Sequence, residues 1–336
     1  MNILITGGSG FIGSHLSLKL LENYNKITIV DDFSTGNNFG LENVEVINCN
    51  ILNYNKLLKS LIGKKFDCLI HLASKSLVAD SFLQEDQYIQ TNIGGTKNII
   101  RLCEEIKIER IIFASSASVY GNDHLNKTIH ETFETKPINP YGVTKLECEQ
   151  ILKNAFKQNN ISSICFRFFN ACGGDPLLRT GEWHNPETHL IPKLIRTCLA
   201  NSKKDFFVYG NNFNTADGFA VRDFLNVIDI CSAIEKGVQW LHNNNGFEII
   251  NLGSGKSYSV IDVIEETEKY LNKKIPIKIV NKRIGEPDFL LSNISKANIM
   301  LGWKPFNSDL KQIVEVTAKW QSKMLESTKT TIQNNL

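Results

Sequence analysis

The sequence has no long apolar run and no strong excess of charge. None of its apolar stretches reaches the roughly 20 residues that a membrane-spanning helix needs. Asn2 begins a strand-like run directly after Met1, where a secretory leader would place charged and then apolar residues. The 37 Lys and Arg residues nearly balance the 35 Asp and Glu residues, without long runs of either sign. We therefore expect neither a membrane partner nor a nucleic-acid partner.

The eight cysteines lack the spacing of a disulfide framework or a zinc site. They are scattered, with no Cys-x-x-Cys pair and no clustering with histidine. Such cysteines are typical of buried, reduced thiols in a cytoplasmic protein. We therefore expect a cytoplasmic location, no disulfide bond and no bound metal.

The chain of 336 residues is long enough for two domains, and 42% apolar residues supply a sizeable core. The first half alternates strand-like runs (2–6, 26–30, 44–47, 68–72, 110–114, 163–169) with helix-like runs (56–62, 90–106, 141–158). This alternation predicts an α/β fold with a doubly wound parallel sheet of the Rossmann type, joined by right-handed crossovers. Ligands of such sheets lie beyond the carboxyl ends of the strands.

The sequence pattern changes near residue 171, where turn-rich segments begin to separate shorter helix-like and strand-like runs. Helical runs are expected at 190–200, 229–241 and 260–271, and short strands at 206–209, 247–252 and 277–280. We predict a cofactor domain at 1–175 and a smaller α+β substrate domain at 176–325, with some strands returning to the main sheet. The polar tail after Met324 is expected to fray.

Four glycines, three of them in the spacing Gly-x-x-Gly-x-x-Gly, follow the first strand-like run and precede a helical segment. The segment reads MNILITGGSGFIGSH, and strand, glycine turn and helix in that order are the context of a phosphate site. Gly7, Gly10 and Gly13 tolerate positive φ angles and let the backbone approach a pyrophosphate. Free N–H groups at the helix N-terminus attract the same group. An ordinary glycine-rich turn is the alternative.

Two carboxylates end the second strand-like run. A carboxylate at the position of Asp31 or Asp32 can accept hydrogen bonds from both ribose hydroxyls of adenosine, and it repels a 2′-phosphate. The sequence therefore predicts NAD rather than NADP.

A serine-rich strand end and a Tyr-x-x-x-Lys pair suggest acid–base chemistry. Tyr141 and Lys145 lie one turn apart on a predicted helix, and Ser116 follows a predicted strand. An ammonium and a positive nicotinamide ring would lower the tyrosine pKa from ~10 to about 7, which takes ~4 kcal/mol of differential stabilisation. Tyr141 would then be a usable base. A surface pair is the alternative for Tyr141 and Lys145 taken alone.

These segments resemble the extended short-chain dehydrogenase/reductase family. The resemblance continues into the second half, where Arg-Phe-Phe-Asn (167–170) and Gly-Glu-Trp-His-Asn-Pro-Glu-Thr-His-Leu-Ile-Pro (181–192) are similar to UDP-glucose 4-epimerases. Further similar segments lie at 217–218, 221–223, 251–253, 283–286 and 301–303. The resemblance covers about residues 2 to 304.

The resemblance implies tightly bound NAD, a UDP-sugar substrate and inversion at C4 through a 4-keto sugar. It implies three catalytic residues: Tyr141, Lys145 and Ser116. The implied cofactor-binding residues are Gly7, Gly10, Phe11, Ile12, Gly13, Asp31, Asp32, Asn50, Ile51, Leu72, Ala73 and Asn92, together with Tyr141 and Lys145. The implied substrate-binding residues are Ser116, Ser118, Asn170, His189, Leu190, Arg222, Arg283 and Glu286.

Several of these assignments have a structural alternative. Each arginine could form a surface salt bridge, although arginine forks suit the oxygens of a diphosphate. Asn92, which the resemblance places near the nicotinamide, could be a helix N-cap. Asn50 stands where the family has an Asp that accepts from adenine, and Lys75 stands one position before a family lysine. His184 and His189 are expected to be polar packing or substrate-loop residues rather than metal ligands.

The resemblance leaves other functions open. Nucleotide-sugar 4,6-dehydratases share the fold, but they carry Asp-Glu where Ala117 and Ser118 stand here. A non-catalytic NAD-binding regulator would be expected to lack the Tyr-Lys pair. Other UDP-sugars are possible, namely UDP-N-acetylhexosamines, UDP-pentoses and UDP-uronates. Leu290 aligns with the position that governs room for an N-acetyl group, and its bulk favours UDP-glucose and UDP-galactose. Members of the family are usually homodimers joined through helices of the cofactor domain, so we expect a homodimer here. The apolar faces of the helices at 90–106 and 141–158 could supply its interface, although burial inside one subunit explains those faces equally well.

Overall fold

The computed structural model describes residues 1–23, 26–37, 39–42, 44–122, 127–200 and 205–334, with side chains up to residue 328. The strands are β1 Asn2–Thr6, β2 Lys26–Asp31, β3 Glu45–Asn48, β4 Cys68–His71, β5 Arg110–Ser116, β6 Thr128–Ile129, β7 Ser162–Phe168, β8 Asn170–Cys172, β9 Phe206–Tyr209, β10 Val221–Arg222, β11 Phe224–Asn226, β12 Phe247–Leu252, β13 Tyr258–Ser259, β14 Ile277–Val280 and β15 Phe289–Ser292.

The helices are α1 Phe11–Glu22, α2 Tyr54–Leu61, α3 Val78–Leu83, α4 Glu85–Tyr88, α5 Gly95–Ile106, α6 Pro140–Asn159, α7 Leu190–Leu199, α8 Val227–Asn243, α9 Val260–Leu271, α10 Ser295–Leu301 and α11 Leu310–Asn334. A π-helical segment, Ile89–Gly94, runs directly into α5, and a 3₁₀ turn, Ala117–Val119, follows β5.

A seven-stranded parallel sheet forms the centre of the molecule, in the order β12-β7-β5-β4-β1-β2-β3. Its inner strands are apolar on both sides because helices cover both faces; every residue of β7 is buried. Thr6 pairs with both Val30 and His71, so the carboxyl ends of β2, β1 and β4 meet at one edge. The doubly wound Rossmann-type fold is confirmed.

Helix α6 carries the Tyr-Lys pair. Asn139 begins it by accepting a hydrogen bond from the Gly142 N–H at 2.8 Å, and Pro140 occupies the first helical position, where its missing N–H costs nothing. The helix ends at Asn160, which has the left-handed φ of 58° typical of a helix terminus. Local sequence therefore sets both ends of α6.

The smaller region beyond residue 175 has short sheets and its own core. Its sheets are β13-β10-β15-β6, β11-β8 and β14-β9, and α7, α9 and α11 pack around an apolar cluster that includes Leu194, Val263 and Ile313. β12 returns to the main sheet and pairs with β7. We keep the division into 1–175 and 176–325 as a proposal. Helix α11 continues to Asn334, so the expectation of a frayed tail after Met324 is wrong.

All eight cysteines are buried free thiols. Within the described part of the chain, every helix is too short or too polar to traverse a lipid bilayer.

Candidate active site

The glycine turn between β1 and α1 has no room for side chains at two of its positions. Gly7 has a φ of +72°, and a Cβ there would lie 2.6 Å from the backbone N of Ala73. A Cβ on Gly13 would lie 2.2 Å from the Gly7 carbonyl oxygen. Gly10 is the N-cap residue of α1, and no side chain of the described residues forms a capping hydrogen bond with this helix N-terminus. The first N–H groups of a helix lack intrahelical partners, so this backbone cradle fits a pyrophosphate.

The other residues predicted for the cofactor surround this turn. Phe11 and Ile12 open α1 and are half-buried. Leu72 and Ala73 follow β4, and the Leu72 N–H donates to the Thr6 carbonyl at 2.9 Å. The structure therefore brings the ends of β1 and β4 together beside the helix N-terminus.

Asp31 links the end of β2 to the glycine turn. Its Oδ2 accepts from the Ser9 N–H and its Oδ1 from the Phe33 N–H, both at 2.9 Å. Burial raises the pKa of Asp31, although these hydrogen bonds oppose the shift. Asp32 turns away and accepts from the Ser34 N–H at 3.0 Å. Asp31 therefore stands at the place where a ribose acceptor is required.

Asn50 is engaged on both sides of its amide. Its Nδ2 donates to Asp32 Oδ2 at 2.7 Å, and its Oδ1 accepts from the Leu52 N–H at 2.8 Å. A second carboxylate at position 50 would repel Asp32, so the amide suits its neighbour. The Ile51 side chain is buried, and a Cβ on Gly95 would lie 2.4 Å from its Cδ1, so Ile51 packs against α5.

Asn92 holds the Lys75 backbone against α6. Its Oδ1 accepts from the Lys75 N–H at 2.8 Å, and its Nδ2 donates to the Lys75 carbonyl and to Thr144 Oγ1, each at 3.0 Å. Asn92 lies inside the π-helical segment, and Gly94 is the N-cap of α5. The N-cap alternative for Asn92 is therefore wrong. The Lys75 Nζ donates to Gln84 Oε1 at 3.2 Å.

Tyr141, Ser116 and Lys145 meet at the carboxyl end of β5. Ser116 lies beside the Tyr141 hydroxyl and acts to lower its pKa. Lys145 Nζ donates to Ser74 Oγ at 3.0 Å and to the Ala114 carbonyl at 2.7 Å, and it lies 5.8 Å from the centroid of the Tyr141 ring. A phenol, a hydroxyl and an ammonium thus share one buried corner beyond a strand end.

Burial dominates the electrostatics of this corner in the polypeptide by itself. It raises the pKa of Tyr141 to about 12, and Ser116 offsets only part of this. Burial also lowers the pKa of Lys145 to about 8. Desolvation of the phenolate therefore outweighs an ammonium that is not in direct contact with it. The predicted lowering of the Tyr141 pKa, which includes the positive nicotinamide ring, stays a prediction.

The 3₁₀ turn after β5 lies close against α6. Ser118 donates its N–H to Ser116 Oγ at 3.1 Å, and a Cβ on Gly142 would lie 2.5 Å from the Ser118 carbonyl oxygen. Glycine at position 142 therefore allows the serine turn and the tyrosine helix to approach.

A buried ion pair behind this corner was missed by sequence reasoning. Arg167 on β7 donates to Glu149 on α6 through Nε at 2.9 Å and Nη2 at 2.7 Å, and Ser115 Oγ donates to the same carboxylate at 2.5 Å. Both charged side chains are almost fully buried. The sequence did contain a sign of this ion pair, since Glu149 lies one turn beyond Lys145 and Arg167 interrupts an apolar strand.

Asn170 and Arg222, both predicted to bind substrate, lie on short strands of two different sheets, β8 and β10. The Asn170 N–H donates to the Asp223 carbonyl at 2.9 Å. The buried Asp223 carboxylate accepts from the hydroxyl of Ser254 at 2.6 Å and that of Ser292 at 2.5 Å. Asp223 therefore fixes the strand that carries Arg222, a role that its place in the 221–223 motif did not reveal.

Arg283 and Glu286 lie in the loop between β14 and β15. Arg283 Nη1 lies 3.2 Å from Glu286 Oε1, and its guanidinium stacks 3.8 Å from the centroid of the Tyr209 ring. Burial lowers the pKa of Arg222, while the Glu286 and Asp288 carboxylates oppose this. The carboxylates of this loop therefore act on both of the arginines that are predicted to bind substrate.

The same loop crosses the start of α6. A Cβ on Gly285 would lie 2.6 Å from the Phe82 ring, and Asn139 Nδ2 donates to the Gly285 carbonyl at 3.4 Å. Leu290 on β15 is buried in a cluster with Ala117, next to the serine turn. The loop of Arg283 and Glu286 thus lies against the start of the helix that carries the phenol, and Leu290 lies next to the serine turn.

His189 and Leu190 stand at the start of α7. Leu190 packs against the core of the smaller region. His189 lies instead with three other residues of the 181–192 segment, Glu182, His184 and Glu187. Although burial opposes it, Glu182 and Glu187 raise the pKa of His189 to about 10, and they raise that of His184 to about 9. Sequence reasoning did not foresee this cluster.

Comparison with known proteins agrees with the site. Residues 3–253 match the NAD dependent epimerase/dehydratase family, and the chain belongs to that family. It is 34% identical over 320 residues to a UDP-glucose 4-epimerase of Halalkalibacterium halodurans, a match that covers 95% of each chain.

Solved structures share the whole fold. The crystal structure of a UDP-glucose 4-epimerase from Bifidobacterium longum in complex with NAD⁺ and UDP matches with a TM-score of 0.91 and 27% identity, over 96% of this chain and 98% of that one. A UDP-Glc/GlcNAc 4-epimerase from Campylobacter jejuni matches with a TM-score of 0.80 and 28% identity, over 96% and 99%.

Proposed function

We propose that this protein is an NAD-dependent UDP-glucose 4-epimerase that interconverts UDP-galactose and UDP-glucose through a 4-keto sugar. The observation that carries the proposal is that Tyr141 and Ser116 lie together at a strand end, with Lys145 beside them. The family match and the similar UDP-glucose 4-epimerases support it.

In this proposal Tyr141 moves the proton and the neighbouring groups orient it. NAD, when bound, supplies a reversible hydride acceptor. The Tyr141 oxygen takes the proton of the sugar 4-hydroxyl, and Ser116 Oγ holds the substrate oxygen in line. Because burial alone raises the Tyr141 pKa, positive charge beyond the protein's own residues is needed to stabilise the phenolate. Lys145, fixed by Ser74 and Ala114, would orient the cofactor ribose.

Inversion requires that the sugar turns while its diphosphate stays bound. Arg222 and Arg283 suit this task, since guanidinium forks pair with diphosphate oxygens. Arg283 stacks on Tyr209 and forms a partly exposed ion pair with Glu286, and a diphosphate can compete with that ion pair at low cost. Asn170, beside Arg222, would contribute a neutral donor. These roles, like the cofactor roles proposed for the residues at the glycine turn, are part of the proposal.

The experiment is incubation of purified protein with UDP-galactose, without added NAD, followed by NMR of the sugar. Appearance of UDP-glucose supports 4-epimerisation with a resident cofactor. A Tyr141→Phe variant is the matched control, because it keeps the buried ring and removes the proton-transferring oxygen. No conversion with or without added NAD would refute the proposal.

A second substrate class is a UDP-N-acetylhexosamine, because a UDP-Glc/GlcNAc epimerase is among the similar structures. Leu290 argues against it: its side chain is buried beside the serine turn and would crowd an N-acetyl group. Equal turnover of UDP-N-acetylglucosamine and UDP-glucose would refute this preference.

We also propose a cytoplasmic homodimer. Buried free thiols support the location. Exposed apolar side chains on α3, α6 and the π-helical segment support the dimer, namely Phe82, Leu83, Ile89 and Val143. A monomer in sedimentation equilibrium at micromolar concentration would refute the dimer.

A further inference from the structure

Two glutamates and two histidines of the segment 181–189 point at one another. One candidate ligand atom from each of Glu182, His184, Glu187 and His189 lies within 4.8 Å of all the others. His184 Nδ1 lies 3.5 Å from Glu182 Oε1 and 3.8 Å from Glu187 Oε1. His189 Nδ1 lies 2.6 Å from Glu182 Oε1 and 3.4 Å from Glu187 Oε1.

These separations match the edges of a coordination tetrahedron. Zn²⁺ bonds to imidazole nitrogen and carboxylate oxygen are about 2.0–2.1 Å long, so neighbouring ligand atoms of a tetrahedral site lie roughly 3.3 Å apart. Two of the four distances, 3.5 and 3.4 Å, lie near that value. The other two, 3.8 and 2.6 Å, require side-chain movement when an ion binds.

The contacts within the cluster leave polar atoms without partners. His184 Nδ1 is buried and makes no hydrogen bond among the described residues, although Glu182 Oε1 lies within ion-pair distance at 3.5 Å. The Glu182 and Glu187 side chains are each only 4% exposed. Buried polar groups without partners are uncommon, so the empty centre between these atoms calls for a ligand.

The surrounding residues orient the cluster from outside. Arg196 Nη2 lies 3.1 Å from Glu187 Oε2, which leaves Oε1 facing the histidines. Arg196 Nη1 donates to the His184 carbonyl at 2.8 Å. Trp320 Nε1 and Gln321 Nε2 donate to the Glu182 carbonyl at 3.0 and 2.7 Å. Outer hydrogen bonds of this kind hold ligands in position in metal sites.

We propose that Glu182, His184, Glu187 and His189 bind one divalent transition-metal ion, with Zn²⁺ as the best fit to two imidazoles and two carboxylates. The two carboxylate charges balance the ion. Four protein ligands close the coordination sphere, which is the arrangement of a structural rather than a catalytic site. The proposal revises the expectation that no metal is bound.

The ion would brace the wall of the cofactor cleft. Trp183 and His184 line a cleft whose opposite wall is the glycine turn at Gly10. Thr180 Oγ1 donates to Ser14 Oγ on α1 at 2.9 Å, so the segment is attached to the cofactor helix. This inference goes beyond the proposed reaction and does not depend on it.

The test uses the full chain without a histidine tag. Purified protein is stripped with a chelator and titrated with Zn²⁺ by calorimetry, and with Co²⁺ while the visible absorption is recorded. The variants are His184→Gln, His189→Gln and Glu187→Gln. The matched control is His242→Gln, which changes an exposed histidine on α8.

We expect one equivalent of Zn²⁺, a tetrahedral Co²⁺ spectrum and a Zn²⁺-dependent rise in melting temperature for the wild type and for His242→Gln. Each cluster variant should bind at least about 100-fold more weakly, since even outer-shell changes cost 10- to 100-fold. A wild type without stoichiometric binding, or cluster variants that bind as tightly as it does, would overturn the proposal. The wild-type Co²⁺ spectrum decides even if a variant fails to fold.

Discussion

Replacing Glu149 with glutamine tests the claim that a buried ion pair holds the tyrosine helix against the sheet. Glu149 accepts two hydrogen bonds from Arg167 and one from Ser115, so it joins α6 to β7 and β5. Glutamine has nearly the same shape, but it carries no charge and replaces one acceptor with a donor.

The magnitude follows from burial. The side chains of Arg167 and Glu149 are 3% and 0% exposed. Removing one partner of such a pair costs about 3–5 kcal/mol, because the other charge stays buried without compensation. Against a typical total of about 5–15 kcal/mol, this is a large fraction of the free energy of unfolding.

The assay is urea unfolding of the wild type and of Glu149→Gln, with Glu147→Gln as the control. Glu147 lies on the same helix but is exposed, so its substitution should change stability by less than about 0.5 kcal/mol. The double variant Glu149→Leu/Arg167→Met should recover most of the loss, since apolar residues of similar volume replace buried pairs well.

Activity provides a second readout. Tyr141 and Lys145 lie two turns and one turn before Glu149 on α6, so a shift of this helix misplaces both. A displacement of about 1 Å can cost about 100-fold in rate, and we expect kcat to fall more than KM rises. If Glu149→Gln unfolds within about 1 kcal/mol of the wild type, the reasoning fails.

Three further predictions concern the site. Tyr141→Phe should lower kcat at least about 100-fold, the typical share of a general base, while bound NAD, measured by absorbance, is retained; a smaller loss would remove Tyr141 from its role. Gly13→Ala should abolish NAD retention because its Cβ would meet the Gly7 carbonyl oxygen. Gly10→Ala, whose Cβ would have its nearest neighbour at 3.4 Å, should keep the unfolding midpoint of the wild type. Equal unfolding midpoints for the two variants would contradict this difference. Burial lowers the pKa of Lys145 from 10.5 to about 8, so the lysine charge destabilises the folded state below pH 8. The free energy of unfolding of the wild type, relative to that of Lys145→Met, should therefore rise by up to about 3 kcal/mol between pH 8 and 10.5. A difference between the two proteins that does not change with pH would refute the shift.

Local patterns predicted the elements that frame the site. The strands at 2–6, 206–209 and 247–252 and the helix at 260–271 have the bounds predicted for them. Apolar runs, periodicity and helix caps can be recognised in a sequence because they depend on residues that are close together in the chain. Two-residue strands such as β10 and β13 escaped prediction, because they exist only through their pairing with distant segments.

The arrangement of the site could be predicted only partly from the sequence. The glycine turn and the Tyr-Lys pair follow from spacing within one segment. The rise that burial alone causes in the Tyr141 pKa did not follow, because desolvation depends on what the whole chain packs around the phenol. The role of Asn50 likewise depends on Asp32, a neighbour on another strand.

The sequence by itself determined the Rossmann-type alternation, the phosphate cradle and the candidate base, since each is encoded within a few turns of chain. Only the tertiary structure brought Glu149 to Arg167 and folded the loop of Arg283 over the start of α6. It also aimed the side chains of Glu182 and His189 at one centre. These contacts are set by the packing of helices on the sheet and by loop conformation, which spacing along the chain does not specify.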